Sequence, residues 1–158
     1  MAEGWAKALH QGRFSVYSAG IEAHGLNPLA VQVMEEAGVD ISSQRSERID
    51  ELAGVTMDLV VTVCGHADKN CPVLPGSCRK LHVPLDDPPA LARRLATAGA
   101  AADADRGAEE GHVSGAGSKP RSGRGAREDV LQIYRRVRDE IRAFVERLPE
   151  IVEDQSTR

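Results

Sequence analysis

Residues 58–64 read DLVVTVC, an almost unbroken apolar run rich in β-branched side chains. A strand with one face in water alternates apolar and polar residues, whereas continuous apolar composition belongs to a strand covered on both faces, as in a parallel sheet between helices. The flanking sequence supplies those helices. In GLNPLAVQVMEEAGVDI, residues 25–41, Asn27 is a helix N-cap, Pro28 takes the first helical position and Gly38 ends the helix. Ahead of it, AEGWAKALHQG predicts a helix over residues 2–11 stopped by Gly12, with Trp5 as a core anchor, and FSVYSAG predicts a short strand over 14–18. Ser46 is placed to cap a short helix running through Leu52, with Glu47 and Asp50 at the positive end of its dipole.

Downstream, RKLHVPL predicts a further strand broken at Pro84 and followed by the turn DDPP. In residues 128–148, EDVLQIYRRVRDEIRAFVERL, the side chains Val130, Tyr134, Val137, Ile141, Phe144 and Leu148 fall on one stripe, which predicts a long amphipathic helix packed on the sheet. Strands alternating with helices imply an α/β domain, a parallel sheet flanked by helices whose sites gather at the carboxyl ends of its strands. Residues 90–127 are Ala, Gly, Ser and charge with few large apolar side chains, so they are expected to form a disordered insert in a single domain spanning 1–148, with 149–158 a polar tail.

The chain has 158 residues, with 20 Lys and Arg against 24 Asp and Glu, a balance that argues against nucleic acid as a partner. No apolar run approaches the roughly 20 residues of a membrane span, and the first residues lack signal-peptide order, so no membrane association and a cytoplasmic location are expected. Three cysteines, Cys64, Cys71 and Cys78, are too few and too clustered for a secreted disulfide framework. Cys64 ends the apolar strand, where helix N-termini and backbone N–H groups favour a thiolate, and Cys71 follows after a short polar loop. The pair reads either as reactive thiols or as two inert ones. Zinc is a further reading, since His66 and His82 lie among the cysteines, but thiols recurring every seven residues do not have knuckle spacing. Asp87, just before Pro88, has the setting of a general acid. His10, His24 and His112 stand alone and read as surface or capping groups.

Taken together, MAEGWA, YSAGIEAHGLNP, AVQVMEEAGVDIS, VVTVCGHADKNCPVLPG, LDDP and VRDEIRAFVERL resemble the thioredoxin-coupled arsenate reductases, which share the fold of the low-molecular-weight protein tyrosine phosphatases. The resemblance covers residues 1–88 and about 128–148. It implies reduction of arsenate to arsenite by a thiol relay in which Cys64 attacks an arsenic-bearing cysteine, Cys71 resolves the disulfide and Asp87 is the acid. It also implies no bound cofactor, thioredoxin as external reductant, and a monomer when complete. Cys78 has no role in that scheme.

The sequence departs from the family in one respect: no cysteine precedes Cys64, and no cysteine is followed by arginine after five residues. The resemblance therefore implies that the first central strand and the oxyanion loop after it are missing, and that the chain as given is inactive and folds poorly. An internal start codon is the expected explanation. Two other functions stay open: a low-molecular-weight tyrosine phosphatase, and a non-catalytic remnant holding a metalloid or metal through Cys64, Cys71 and Cys78.

Overall fold

In a computed structural model, the structure describes residues 1–23, 25–63, 78–105 and 123–153, without the side chains of 99–105, 123 and 124. Among the described residues five helices and two strands run in the order α1 (Ala2–Leu9), α2 (Pro28–Glu36), β1 (Leu59–Thr62), β2 (Arg79–His82), α3 (Pro88–Asp105), α4 (Gly123–Glu146) and α5 (Leu148–Glu153), with a 3₁₀ turn at Ile49–Leu52. β1 and β2 pair in parallel, Leu59 opposite Arg79 and Thr62 opposite His82. The ladder runs on past the strand ends, with Val83 N–H donating to the Thr62 carbonyl at 2.8 Å and Leu85 N–H to that of Val63 at 3.0 Å. The α/β class with a parallel sheet and flanking helices is thus the observed architecture.

Local chemistry accounts for the best-defined helix ends. Asn27 Oδ1 accepts from Leu29 N–H at 2.9 Å and from Ala30 N–H at 3.4 Å, satisfying two donors that the first turn of α2 leaves open. At the other end Gly38 takes φ +79°, Val39 N–H reaches the Met34 carbonyl at 2.9 Å and Gly38 N–H reaches Glu35 at 2.9 Å. This is the paired reverse bonding of a Schellman ending, which needs a left-handed residue at that position.

The core lies between helices. One cluster joins Trp5 and Ala6 of α1 to Met34, Ile41 and the α4 residues Val137, Ile141 and Val145; another joins Ala30 and Val33 of α2 to Leu131 and Tyr134 of α4. α4 therefore touches every other helix, and its arginines fasten α2 through Arg135 to Glu36 at 2.6 Å and Arg138 to the Val33 carbonyl at 2.8 Å. Trp5 is the expected anchor, 3% exposed, with the Arg142 guanidinium 5.1 Å from its ring centroid.

Several expectations are corrected. Residues 14–18 form no strand: burial alternates over 14–17, but among the described residues the ladder contact nearest this segment is an isolated parallel bridge from Gly20 to Arg48. A strand exists only through a pairing partner, and none of the described residues supplies one to 14–18. β1 is only half-buried over Leu59–Val61, and its residues belong to neither core cluster, because the helices pack chiefly on α4. The short helix is a 3₁₀ turn capped at Arg48, whose N–H is taken by Glu51 Oε1 at 2.8 Å, rather than a helix begun by Ser46. Residues 90–105, expected within a disordered insert, continue α3. Two prolines at its first positions and an alanine-rich body favour helix, and Ala92 packs against the Leu131–Tyr134 cluster. Likewise α4 starts at Gly123 rather than 128, and α5 occupies the start of the expected tail, with Pro149 tolerated in its first turn. Residues 106–122 and 154–158 lie outside the described residues.

Candidate active site

Of the sequence-derived site residues, Cys64 and Cys71 lie outside the described residues, as does His66; Asp87 is placed. β1 ends at Thr62, so the segment carrying both thiols leaves the carboxyl end of a parallel strand. Thr62 is buried, and its Oγ1 lies 2.9 Å from His82 Nδ1 on β2, which ties the two strand ends together. Cys78 is half-buried immediately before β2, at the opposite end of that strand. Among the described residues no group of three His, Cys, Asp or Glu side chains converges as a metal site would require.

Asp87 stands just ahead of α3, exposed, with its carbonyl accepting Leu91 N–H at 3.0 Å. Its neighbour Asp86 is gripped by Arg136 Nη2 at 2.7 Å, and the same guanidinium reaches Glu140 at 2.9 Å. The turn that carries Asp87 is therefore pinned to α4. Close by, the buried Tyr134 hydroxyl accepts from Asn27 Nδ2 at 3.0 Å. Burial holds the Tyr134 phenol above its ordinary value; the Asn27 hydrogen bond opposes this, the Asp87 charge adds to it and Arg93 opposes it. Met1, at the start of α1, packs against both core clusters, so the amino end of α1, the cap of α2 and the start of α3 meet around the same part of α4.

Around the first turn of α1, Glu3 takes Lys7 on one carboxylate oxygen and the Ser18 hydroxyl on the other. Ser18 also lines a shallow cleft of about 130 Å³ with Gly20, Arg45, Ser46 and Glu47. His10 donates Nε2–H to the Val145 carbonyl at 2.8 Å in the last turn of α4, the capping role expected of it.

Nothing in the sequence alone marks Tyr134 or Arg136 as a site residue. Tyr134 was legible only as a member of the apolar stripe, although a tyrosine in such a stripe must find a partner for its hydroxyl. Arg136 is one of five arginines in residues 128–148, and nothing in the sequence distinguishes it from the others.

Residues 1–85 match the family model described as low molecular weight phosphotyrosine protein phosphatase. Arsenate reductase 2 of Staphylococcus epidermidis is 53% identical over 88 residues, which are 56% of this chain and 67% of that protein. The arsenate reductase of Halalkalibacterium halodurans is 52% identical over 88 residues, 56% of this chain and 63% of that protein. The chain thus spans about two thirds of the length of these relatives. Among solved structures, an arsenate reductase in the oxidized state superposes with a TM-score of 0.61 at 26% identity, covering 96% of this chain and 87% of that one. An arsenate reductase in the phosphate binding state gives a TM-score of 0.59 at 25% identity, covering 96% and 87%. Family model, sequence relatives and fold converge: the chain belongs to the low molecular weight phosphotyrosine protein phosphatase family, among the arsenate reductases of that fold.

Proposed function

We propose that the chain carries the disulfide-relay part of a thioredoxin-coupled arsenate reductase, with Cys64 and Cys71 as the relay thiols and Asp87 as the acid. The observation that carries this reading is 53% identity to an arsenate reductase across more than half the chain, in a sequence that sets two thiols seven residues apart at the end of a parallel strand.

Arsenate first becomes a thiol ester of a primary cysteine, Asp87 giving its proton to the oxygen that leaves as water. The Cys64 thiolate then attacks the sulfur of that cysteine. The sulfur–arsenic bond breaks, its electron pair stays on arsenic, and arsenite departs as a disulfide forms. Cys71 attacks Cys64 and expels the primary thiolate, leaving a Cys64–Cys71 disulfide. Thioredoxin returns it to two thiols, so the relay needs no resident cofactor and suits a reducing compartment such as the cytoplasm. The primary cysteine with arginine after five residues is not in these 158 residues.

The relay is testable on the chain itself. Oxidised protein should consume about one equivalent of NADPH with thioredoxin and its reductase, and Cys64→Ser or Cys71→Ser should abolish the uptake. A disulfide mapped to Cys71–Cys78 instead would sink the assignment. Arsenate turnover is to be assayed on a longer product of the reading frame, where a cysteine followed by arginine after five residues is found upstream of Met1. A tyrosine phosphatase remains the second reading because of the family model's own description, but that group carries an aromatic residue after Asp-Pro where this chain has Pro89. Aryl phosphate hydrolysis that survives Cys64→Ser in the extended protein would favour it.

A further inference from the structure

We propose that Arg136 is the positioning residue for the acid: its guanidinium, oriented by Glu140, tethers Asp86 to α4 and so sets where the uncommitted Asp87 carboxylate stands. This rests on the reading of Asp87 as the acid of the relay enzyme.

The fold treats the two neighbouring aspartates differently. Asp86 accepts from Arg136 Nη2 at 2.7 Å, whereas among the described residues no side-chain hydrogen bond reaches the exposed Asp87 carboxylate. An acid that protonates a leaving oxygen needs its own oxygens free, so another group has to fix its place. The backbone on either side is already laid down: Leu85 packs on the core cluster of α1 and α4, Pro88 is buried, and the Asp87 carbonyl accepts Leu91 N–H at 3.0 Å. Among the described residues, Asp86 supplies the side-chain ion pair of this turn.

Arg136 suits the task because it is itself held. Its Nη1 donates to Glu140 Oε1 at 2.9 Å, one turn further along α4, so the helix that bears the guanidinium also orients its plane. The planar fork then serves two carboxylates at once, which a lysine ammonium does not reproduce. Arg136 and Asp86 are 50% and 51% exposed, and ion pairs so placed add little to global stability. Arg136 therefore governs where the turn stands more than whether the chain folds.

Arg136→Met keeps the aliphatic stem and removes the fork. In the 158-residue chain it should leave the urea midpoint close to that of the parent while quickening exchange of the Leu91 amide about two- to five-fold. Asp86→Ala should do the same, and the double variant should add nothing further. Arg135→Met, which removes an ion pair between α2 and α4, is the control. Unchanged Leu91 exchange in Arg136→Met, or an equal acceleration in Arg135→Met, overturns the proposal. In a longer product that supplies the primary cysteine, Arg136→Met should lower kcat for arsenate by a similar factor with KM unchanged, and Arg136→Lys should recover only part of it. Combined with Asp87→Asn it should have no further effect; a full additional loss there overturns the positioning role. The acid role fails separately, if Asp87→Asn alone leaves arsenate turnover intact.

Discussion

At the scale of single residues, Gly4 shows how closely α1 sits on the core. A β-carbon there would lie 2.5 Å from Cγ2 of Ile41 and 3.3 Å from Cε of Met34, both fully buried side chains. Alanine would gain about 1 kcal/mol of helix propensity, but overpacking against a branched, immobile methyl costs about 1–3 kcal/mol. Gly4→Ala is therefore expected to lower the urea midpoint, whereas an exposed helical glycine changed the same way would raise it. Trp5 poses the opposite case: its indole N–H is buried with no hydrogen-bond partner among the described residues. The Arg142 guanidinium over the ring compensates through the face of the indole rather than through that proton.

Elements are decided by their ends and by their ion pairs. Asn27→Ala removes the cap of α2 and the donor to Tyr134 together, so it should cost about 1–2 kcal/mol by chemical denaturation. Tyr134→Phe breaks only the second of these links and should cost less. The junction of α2 with α4 also sets an acid-side response. Chiefly through the hydrogen bond from Arg135, Glu36 titrates below its ordinary value near 4.5. A depressed carboxyl stabilises the fold above its unfolded value and loses that contribution as pH falls through the folded one. Glu36→Gln should therefore flatten stability against pH below about 4.5 and leave its slope near neutrality unchanged, as thermal midpoints across that range would report. Burial matters little here, since both partners remain partly exposed.

Across the whole molecule, α4 is the member that the other helices share. Ile141 lies in the cluster that joins α1, α2 and α4, and Ile141→Ala should cost about 2–5 kcal/mol. Because the cluster is common property, amide exchange should quicken in α1 and α2 as well as in α4; a loss of protection confined to α4 would contradict the hub arrangement. The turn that carries Asp87 depends on the same helix through the ion pair of Arg136 with Asp86 and the packing of Ala92. Stability of the core and placement of Asp87 are consequently linked through one element.

The local elements were legible because they are written in short-range chemistry. Asn27-Pro28 and Gly38 mark both ends of α2, the apolar run at 58–64 marks β1, and the stripe from Val130 to Leu148 marks α4. The thiol spacing and the Asp-Pro step pointed to the family by residue type and order alone. What composition misjudged was α3, since alanine-rich sequence with few large apolar residues reads as disorder until a neighbouring helix offers a surface to Ala92. The segment 14–18 erred the other way: its residues suit a strand, but pairing is a property of two segments. The sequence by itself determined which residues can cap, form strands or carry a thiolate, because those are properties of a residue and its near neighbours. Only the tertiary structure decided that Arg136 pins Asp86 and that Asn27 meets Tyr134, because contacts across 50 and 107 residues exist only once α4 has docked.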